Sequence, residues 1–431
     1  MKLIKLQDNI KPWPVFYFLA LITISGLVTT IVSYQIVYAL RIILAAINVA
    51  YVVWLAVFWG VTKNCLISLS VCVIMFLSSN FIANLNGVPM DRWIQNFVDF
   101  GVTAIGIFLF SAQHSRQNKI ISDKMVSIYI YYTFVGICGL IFTDGLVLDP
   151  FPRFVFSYEQ SMTGKDGGYS LMLTSFFSTS AIFSMIGILQ ARTIAFVFMY
   201  YILALFLCAL SGFAGGRGEI ISLALVIIIV FAKFAHSKNR RLVFLLTVLA
   251  IIQIFIVSSV FENMVANARF QLLLDGDFSD RNVLLQQVVE LIKNEPATLI
   301  FGGGTGYFQS YYGYDFGSYP HNHLAEAVVI FGFPLVFFSV LFVLRGGYIY
   351  YKQAGEIDLF MIIVTFIFVS NLKSGYFLGN WMTNAAGCFF IGLNVQISDK
   401  LARPETRVQV TDKQTVLENN DLFLGFRLPQ K

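Results

Sequence analysis

Apolar runs about 20 residues long recur along this chain from one end to the other, and that repetition constrains its fold more than any motif does. Lipid offers no partner to backbone N–H and C=O groups, so a crossing segment must satisfy them internally, as a helix does. About twelve such runs occur, near residues 14–32, 43–60, 65–84, 97–113, 125–146, 169–189, 192–211, 219–235, 242–260, 323–344, 357–376 and 381–397. Only 12% of the 431 residues are charged, against roughly 25% in an ordinary globular protein, and the deficit extends along the whole chain. The expectation is an all-α polytopic membrane protein with about twelve transmembrane helices.

The basic residues set its direction, because Lys and Arg are retained on the cytoplasmic side. With Lys2, Lys5 and Lys11 inside, alternate connections place 20 of the 29 Lys and Arg residues inside and nine outside. Both termini are then cytoplasmic. Residues 1–397 form a single transmembrane bundle and 398–431 a polar tail. No small-residue cleavage site follows the first run, so it reads as a retained span. The five cysteines lie in or beside apolar runs without a CxxC pair and read as packing residues. The net charge of +5 follows from the inside bias and calls for no nucleic acid partner.

One large polar excursion, residues 261–322, separates the ninth and tenth spans on the external side. Asp280 can cap a helix there, because Leu284, Leu285, Val288, Leu291 and Ile292 recur at helical spacing through Lys293. Pro296 and the glycines Gly302, Gly303, Gly304 and Gly306 end that helix and turn the backbone sharply. Aromatic residues and glycines follow, from Tyr307 to Tyr319. Pro320 suits the first turn of the tenth span, which places His321 at a helix N-terminus.

Of four histidines, His114 and His236 fall on the cytoplasmic side, while His321 and His323 stand together outside. The positive end of a helix dipole disfavours imidazolium, so a histidine there stays neutral and able to accept a proton. The alternative is a pair of interfacial polar residues that end a loop. Arg217 lies in a glycine-rich external turn, Gly215-Gly216-Arg217-Gly218, where a planar guanidinium can meet phosphate oxygens or simply pair with Glu219. Arg281 is electrostatically misplaced at the start of the loop helix unless something anionic meets it. Arg269 and Lys373 are further external cations. Asp275, Asp277 and Asp280 are too loosely spaced for a metal site, and Gly302 to Gly306 lacks the Lys-Ser/Thr of a nucleotide loop. No metal and no other cofactor is expected.

Three of these features resemble the O-antigen polymerase and ligase superfamily of bacterial envelope polysaccharide synthesis. They are the turn ending in Gly216-Arg217, the loop-helix start Ser279-Asp280-Arg281, and Gly303-Gly304-Thr305-Gly306 followed by Tyr319-Pro320-His321-Asn322, Glu326 and Gly332. Gly216 departs from the commoner Ser of the first motif. The likeness covers roughly Arg217 to Gly332.

The resemblance implies a metal-independent glycosyltransferase on the periplasmic face of the bacterial inner membrane, drawing a glycan from undecaprenyl pyrophosphate. Its catalytic residues would be His321, Arg217 and Arg281, with Arg269, Asn322, His323 and Lys373 binding phosphate or sugar. A chain-length regulator and a flippase are the implied protein partners. The favoured reading is a polymerase of lipid-linked repeat units. The alternatives are a ligase that moves the finished glycan to lipid A-core, and a flippase or other transporter.

Overall fold

The computed structural model describes residues 61–89, 93–117, 120–121, 123–142, 171–191, 193–213, 217–234, 280–314, 318–355, 357–374 and 376–402, with scattered positions between 43 and 57. Every regular element among the described residues is a helix. In chain order they are α1 (Lys63–Leu85), α2 (Trp93–Gln117), α3 (Asp123–Phe142), α4 (Leu171–Gln190), α5 (Ile194–Phe213), α6 (Arg217–Phe234), α7 (Asp280–Asn294), α8 (Pro296–Phe301), α9 (Tyr307–Tyr312), α10 (His323–Phe331), α11 (Phe333–Ala354), α12 (Leu359–Ser374) and α13 (Trp381–Ala402).

Among the described residues, four stretches are long and apolar enough to cross a bilayer: Lys63–Leu85, Asn96–Ser115, Ile194–Ser211 and Phe333–Ala354. Met125–Cys138, Thr174–Ile188 and Leu359–Leu372 are apolar but shorter. The protein is therefore membrane-embedded, with the expected runs at 65–84, 97–113, 125–146, 169–189, 192–211, 219–235, 357–376 and 381–397 each overlapping a helix. The expected spans at 14–32 and 242–260, most of 43–60, and the tail beyond Ala402 lie outside the described residues, as do Arg269 and His236.

The tenth expected run divides in two. Residues 323–344 are apolar enough for one helix, yet α10 ends at Gly332, whose φ of 82° is left-handed, and α11 starts afresh at Phe333 with Pro334 in its first turn. Glycine adopts that conformation without the steric cost a Cβ imposes, and proline lacks the N–H that would continue the ladder from α10. The crossing helix is Phe333–Ala354, and α10 is a separate short helix. The histidine assignment shifts with it: Asn322 is the N-cap, its side chain accepting from the Ala325 N–H at 2.9 Å, so His323 opens the helix and His321 stands before it.

Helices α1, α2 and α11 surround α13, and α12 joins that group to α4 and α6. Close crossings use small residues, as membrane helices do where no hydrophobic force drives them together. A Cβ on Gly346 of α11 would sit 1.9 Å from the Phe390 carbonyl oxygen of α13. The core between them is aromatic: Phe110 meets Phe360 at 4.9 Å between ring centroids, and Phe389 packs on Tyr350 and Phe390. Buried hydroxyls add interhelical bonds, Thr133 to Ser180 at 2.9 Å and Ser178 to Ser211 at 2.6 Å. At one end of the bundle, Tyr350 donates to Asp358 and accepts from the Ile120 N–H, while His114 bonds Gln353 at 2.8 Å.

The amphipathic helix expected in the large loop is α7. Asp280 is its first helical residue, not its cap. Val288 and Leu291 of α7 are buried with Phe308 of α9 and Val329 of α10, so the loop helices rest on α10. Pro296 starts the next helix, α8, as it suits the first turn where its missing N–H is not needed.

Candidate active site at the head of α10

Helix α10 is held at its two ends by backbone it does not adjoin in sequence. On one side is the glycine turn. The Gly303 N–H donates to the Val329 carbonyl at 2.7 Å and the Gly304 N–H to that of Ile330 at 3.1 Å, which satisfies carbonyls at the end of α10. The same turn leans on α1, where Thr305 N–H donates to the Ser79 carbonyl at 3.2 Å and Asn86 donates its amide to the Gly303 carbonyl at 3.0 Å. A Cβ on Gly304 would lie 2.2 Å from the Ala83 nitrogen, and one on Gly332 2.3 Å from the Ile300 oxygen. Close approach is made here by the protein's own backbone.

On the other side is the connection from α12 to α13. Glu326, 4% exposed, accepts from the Phe377 N–H at 2.8 Å. Asn384 donates to the Phe377 carbonyl at 2.7 Å. The Asn380 amide lies 3.1 Å from His323 Nδ1, and since an amide N–H only donates, Nδ1 is the acceptor and the ring proton sits on Nε2. His323 stacks on Phe377 at 4.6 Å. Burial pushes the His323 imidazole down to about 4 and the Glu326 carboxyl up to about 8, the Phe377 N–H opposing the latter in part. Around neutral pH His323 is uncharged and Glu326 is largely protonated.

His321 is the more accessible of the two histidines. Its φ of 52° puts it in the left-handed region, alone among the described non-glycine residues. Such conformations cost of order 1–3 kcal/mol and persist only where the surroundings fix them. Here Tyr319 lies against the imidazole at 4.0 Å and Tyr376 lies against Tyr319 at 5.5 Å.

Below this head an apolar cavity of about 640 Å³ runs down one side of α11, bounded also by α1, α2, α12 and α13. His323 and Leu324 line one end, and Tyr351 and Ile357 the other. From Leu335 to Tyr351 the α11 axis advances about 24 Å at roughly 1.5 Å per residue, most of a bilayer's hydrocarbon depth.

The sequence-derived site residues fall as follows. His321, Asn322 and His323 are together, with Asn322 serving as the cap. Arg217 is the first residue of α6, Arg281 the second of α7, and Lys373 lies in the last turn of α12. Helix α7 touches α10 directly, and α6 reaches it through α12, which packs on both. Asn380, Phe377 and Asn384 were not singled out from the sequence. The signal available was the short interruption Gly379-Asn380-Trp381 between two apolar runs. Glu326 appeared there only as part of a motif, and its carboxyl proves to be a structural anchor.

No curated protein and no solved structure matches the chain. One family model does, described as O-Antigen ligase, over residues 201–340. The matched stretch runs from within α5 to within α11 and contains Arg217, Arg281 and the whole head of α10. It supports a glycosyl-transferring function of polymerase or ligase type without separating the two. Residues 201–340 of this chain are thus similar to the O-antigen ligase family model, which supports the polymerase and ligase superfamily that its motifs resemble.

Proposed function

We propose that this protein polymerises undecaprenyl-pyrophosphate-linked oligosaccharide repeat units into O-antigen or a related surface polysaccharide, at the periplasmic face of the bacterial inner membrane. The observation that carries this reading is the placement of His323, two residues after His321, at one end of an apolar cavity of membrane depth. A lipid-linked sugar has the same two parts, a polar reacting end and a long hydrocarbon chain. Nucleotide donors have no such chain.

In this reading His321 accepts the proton of an acceptor sugar hydroxyl as the oxygen attacks the anomeric carbon, and the bond to the pyrophosphate oxygen breaks. Arg217 and Arg281 stabilise the charge that develops on the departing pyrophosphate, with Arg269 and Lys373 as further anion contacts. Attack from the opposite face inverts the anomeric centre. No metal takes part. His323, neutral and buried, holds the Tyr376–Asn380 connection in place and has a positioning role. Both termini are assigned to the cytoplasm, and a chain-length regulator and a flippase are the expected partners.

The ligase reading has the description of the matching family model in its favour. It shares donor and site and differs only in acceptor. Purified protein incubated with a lipid-linked repeat unit, with and without lipid A-core, separates the readings on a gel. A ladder without core supports the polymerase, a core-linked product the ligase, and no product in either case turns the argument to a flippase.

A further inference from the structure

A second surface of the loop helices has the composition of a carbohydrate subsite. The hydroxyl of Tyr312, in α9, donates to the Gln287 carbonyl of α7 at 2.8 Å. Gly313 takes a left-handed φ of 65°, and Tyr314 folds back so that its N–H meets the Gln309 carbonyl at 2.8 Å and its ring stacks on Tyr312 at 5.6 Å. Tyr311 meets Tyr312 edge to face at 4.9 Å. Gln287 donates to the Tyr314 hydroxyl, and Asn294 to that of Tyr311 at 3.4 Å. Both outer rings are therefore fixed in plane and partly open, Tyr311 at 38% exposed and Tyr314 at 37%.

Polar residues edge the rings on the C-terminal half of α7. Glu290, Lys293, Asn294 and Glu295 of the adjoining helix stretch are all exposed, and Glu290 and Glu295 lie within electrostatic reach of the Tyr312 and Tyr307 hydroxyls. The neighbouring helix α8 contrasts with this, exposing Leu299, Ile300 and Phe301 and touching the crossing helix α11. A membrane surface suits α8. A pyranose suits the tyrosines, because its C–H face stacks on an aromatic ring while carboxylates and amides at the rim meet its hydroxyls.

We infer that Tyr311 and Tyr314, edged by Glu290 and Asn294, form a subsite for pyranose rings of the glycan, remote from the sugar that reacts. The inference rests on the glycosyl-transfer reading above, and names where the chain being extended or transferred lies. The floor of the platform is Phe308, packed with Val329 of α10, so a glycan on it lies over the same short helix that presents His321.

The test uses the full-length protein in nanodiscs, with the oligosaccharide repeat unit freed of its lipid as the probe. Saturation-transfer NMR should show magnetisation passing to sugar ring protons. Tyr311→Ala and Tyr314→Ala should each weaken binding about threefold to tenfold, while Tyr311→Phe and Tyr314→Phe, which keep the rings, should bind as wild type does. Thermal unfolding of each variant checks that the fold is intact. Undiminished binding in folded Tyr311→Ala/Tyr314→Ala protein, or quenching of a Tyr311→Trp indole by brominated lipid, overturns the subsite. Failure of this subsite leaves the wild-type gel products unchanged, whereas failure of the glycosyl-transfer reading removes ladder and core-linked product alike and leaves oligosaccharide binding in place.

Discussion

The Glu326 carboxyl in α10 accepts the Phe377 N–H across 2.8 Å, joining a short helix to a connection 51 residues further along the chain. Because both are buried, loss of the acceptor would leave a backbone donor unsatisfied, at a cost of about 1–3 kcal/mol. The bond also holds Tyr376 against Tyr319, and through it the imidazole of His321.

Glu326→Gln should change the pH dependence of stability more than stability itself. The folded carboxyl lies at about 8 against an ordinary 4.5, so the folded protein keeps a proton that the unfolded chain has lost, and stability falls as pH rises between those values. His323 acts oppositely, its folded value of about 4 lying below 6.5, so its contribution is lost as pH falls through that range. The window from pH 6.5 to 8 isolates Glu326. Thermal unfolding in detergent should show a decline there that is flatter in Glu326→Gln, whose amide oxygen still accepts from Phe377. Equal slopes would refute the assignment.

His321→Ala should abolish glycan transfer while membrane abundance stays near wild type. Because the position is left-handed, His321→Asn is the sharper variant: asparagine tolerates that backbone yet cannot serve as the base. Full activity in either, on the gel of lipid-linked products, would remove His321 from the chemistry.

Arg281→Lys keeps a positive charge and loses the planar fork that grips two phosphate oxygens together. Transfer should fall at least tenfold, about 1.4 kcal/mol in the barrier. Initial rates on the lipid-linked repeat unit measure it, and wild-type rates in the lysine variant would rule out bidentate binding there.

Gly304→Ala and Gly332→Ala should each destabilise the protein by more than the roughly 1–3 kcal/mol of a strained backbone, since each new Cβ would also strike backbone atoms. Gly347→Ala, in open space on α11, serves as the control. Membrane abundance by immunoblot should fall sharply for the first two and hold for the third.

Much of the bundle was legible because hydropathy alone selects membrane helices, as Lys63–Leu85 and Ile194–Ser211 illustrate. The break at Gly332 does not show in hydropathy, since Val328, Val329, Ile330 and Phe331 before it are as apolar as Phe333 and Leu335 after it. Its signal is the pair Gly332 and Pro334, which hydropathy passes over. His321, Asn322 and His323 stood out as rare polar residues at the edge of an apolar run, and they lie at the head of α10. Asn380 and Phe377 could not be read in the same way. Their part depends on pairing between segments more than 50 residues apart, and in the case of Phe377 on a main-chain N–H that any residue but proline would supply.

The interruption between α10 and α11 also has a mechanical consequence. A spanning helix tilts to match the thickness of the bilayer around it. Were the ladder continuous, each degree of tilt in α11 would swing His323 and Glu326 as the far end of a rigid rod. Gly332 breaks that rod instead: the ladder of α10 ends there, and α10 takes its position from the glycine turn and from Phe377, the backbone that holds its two ends.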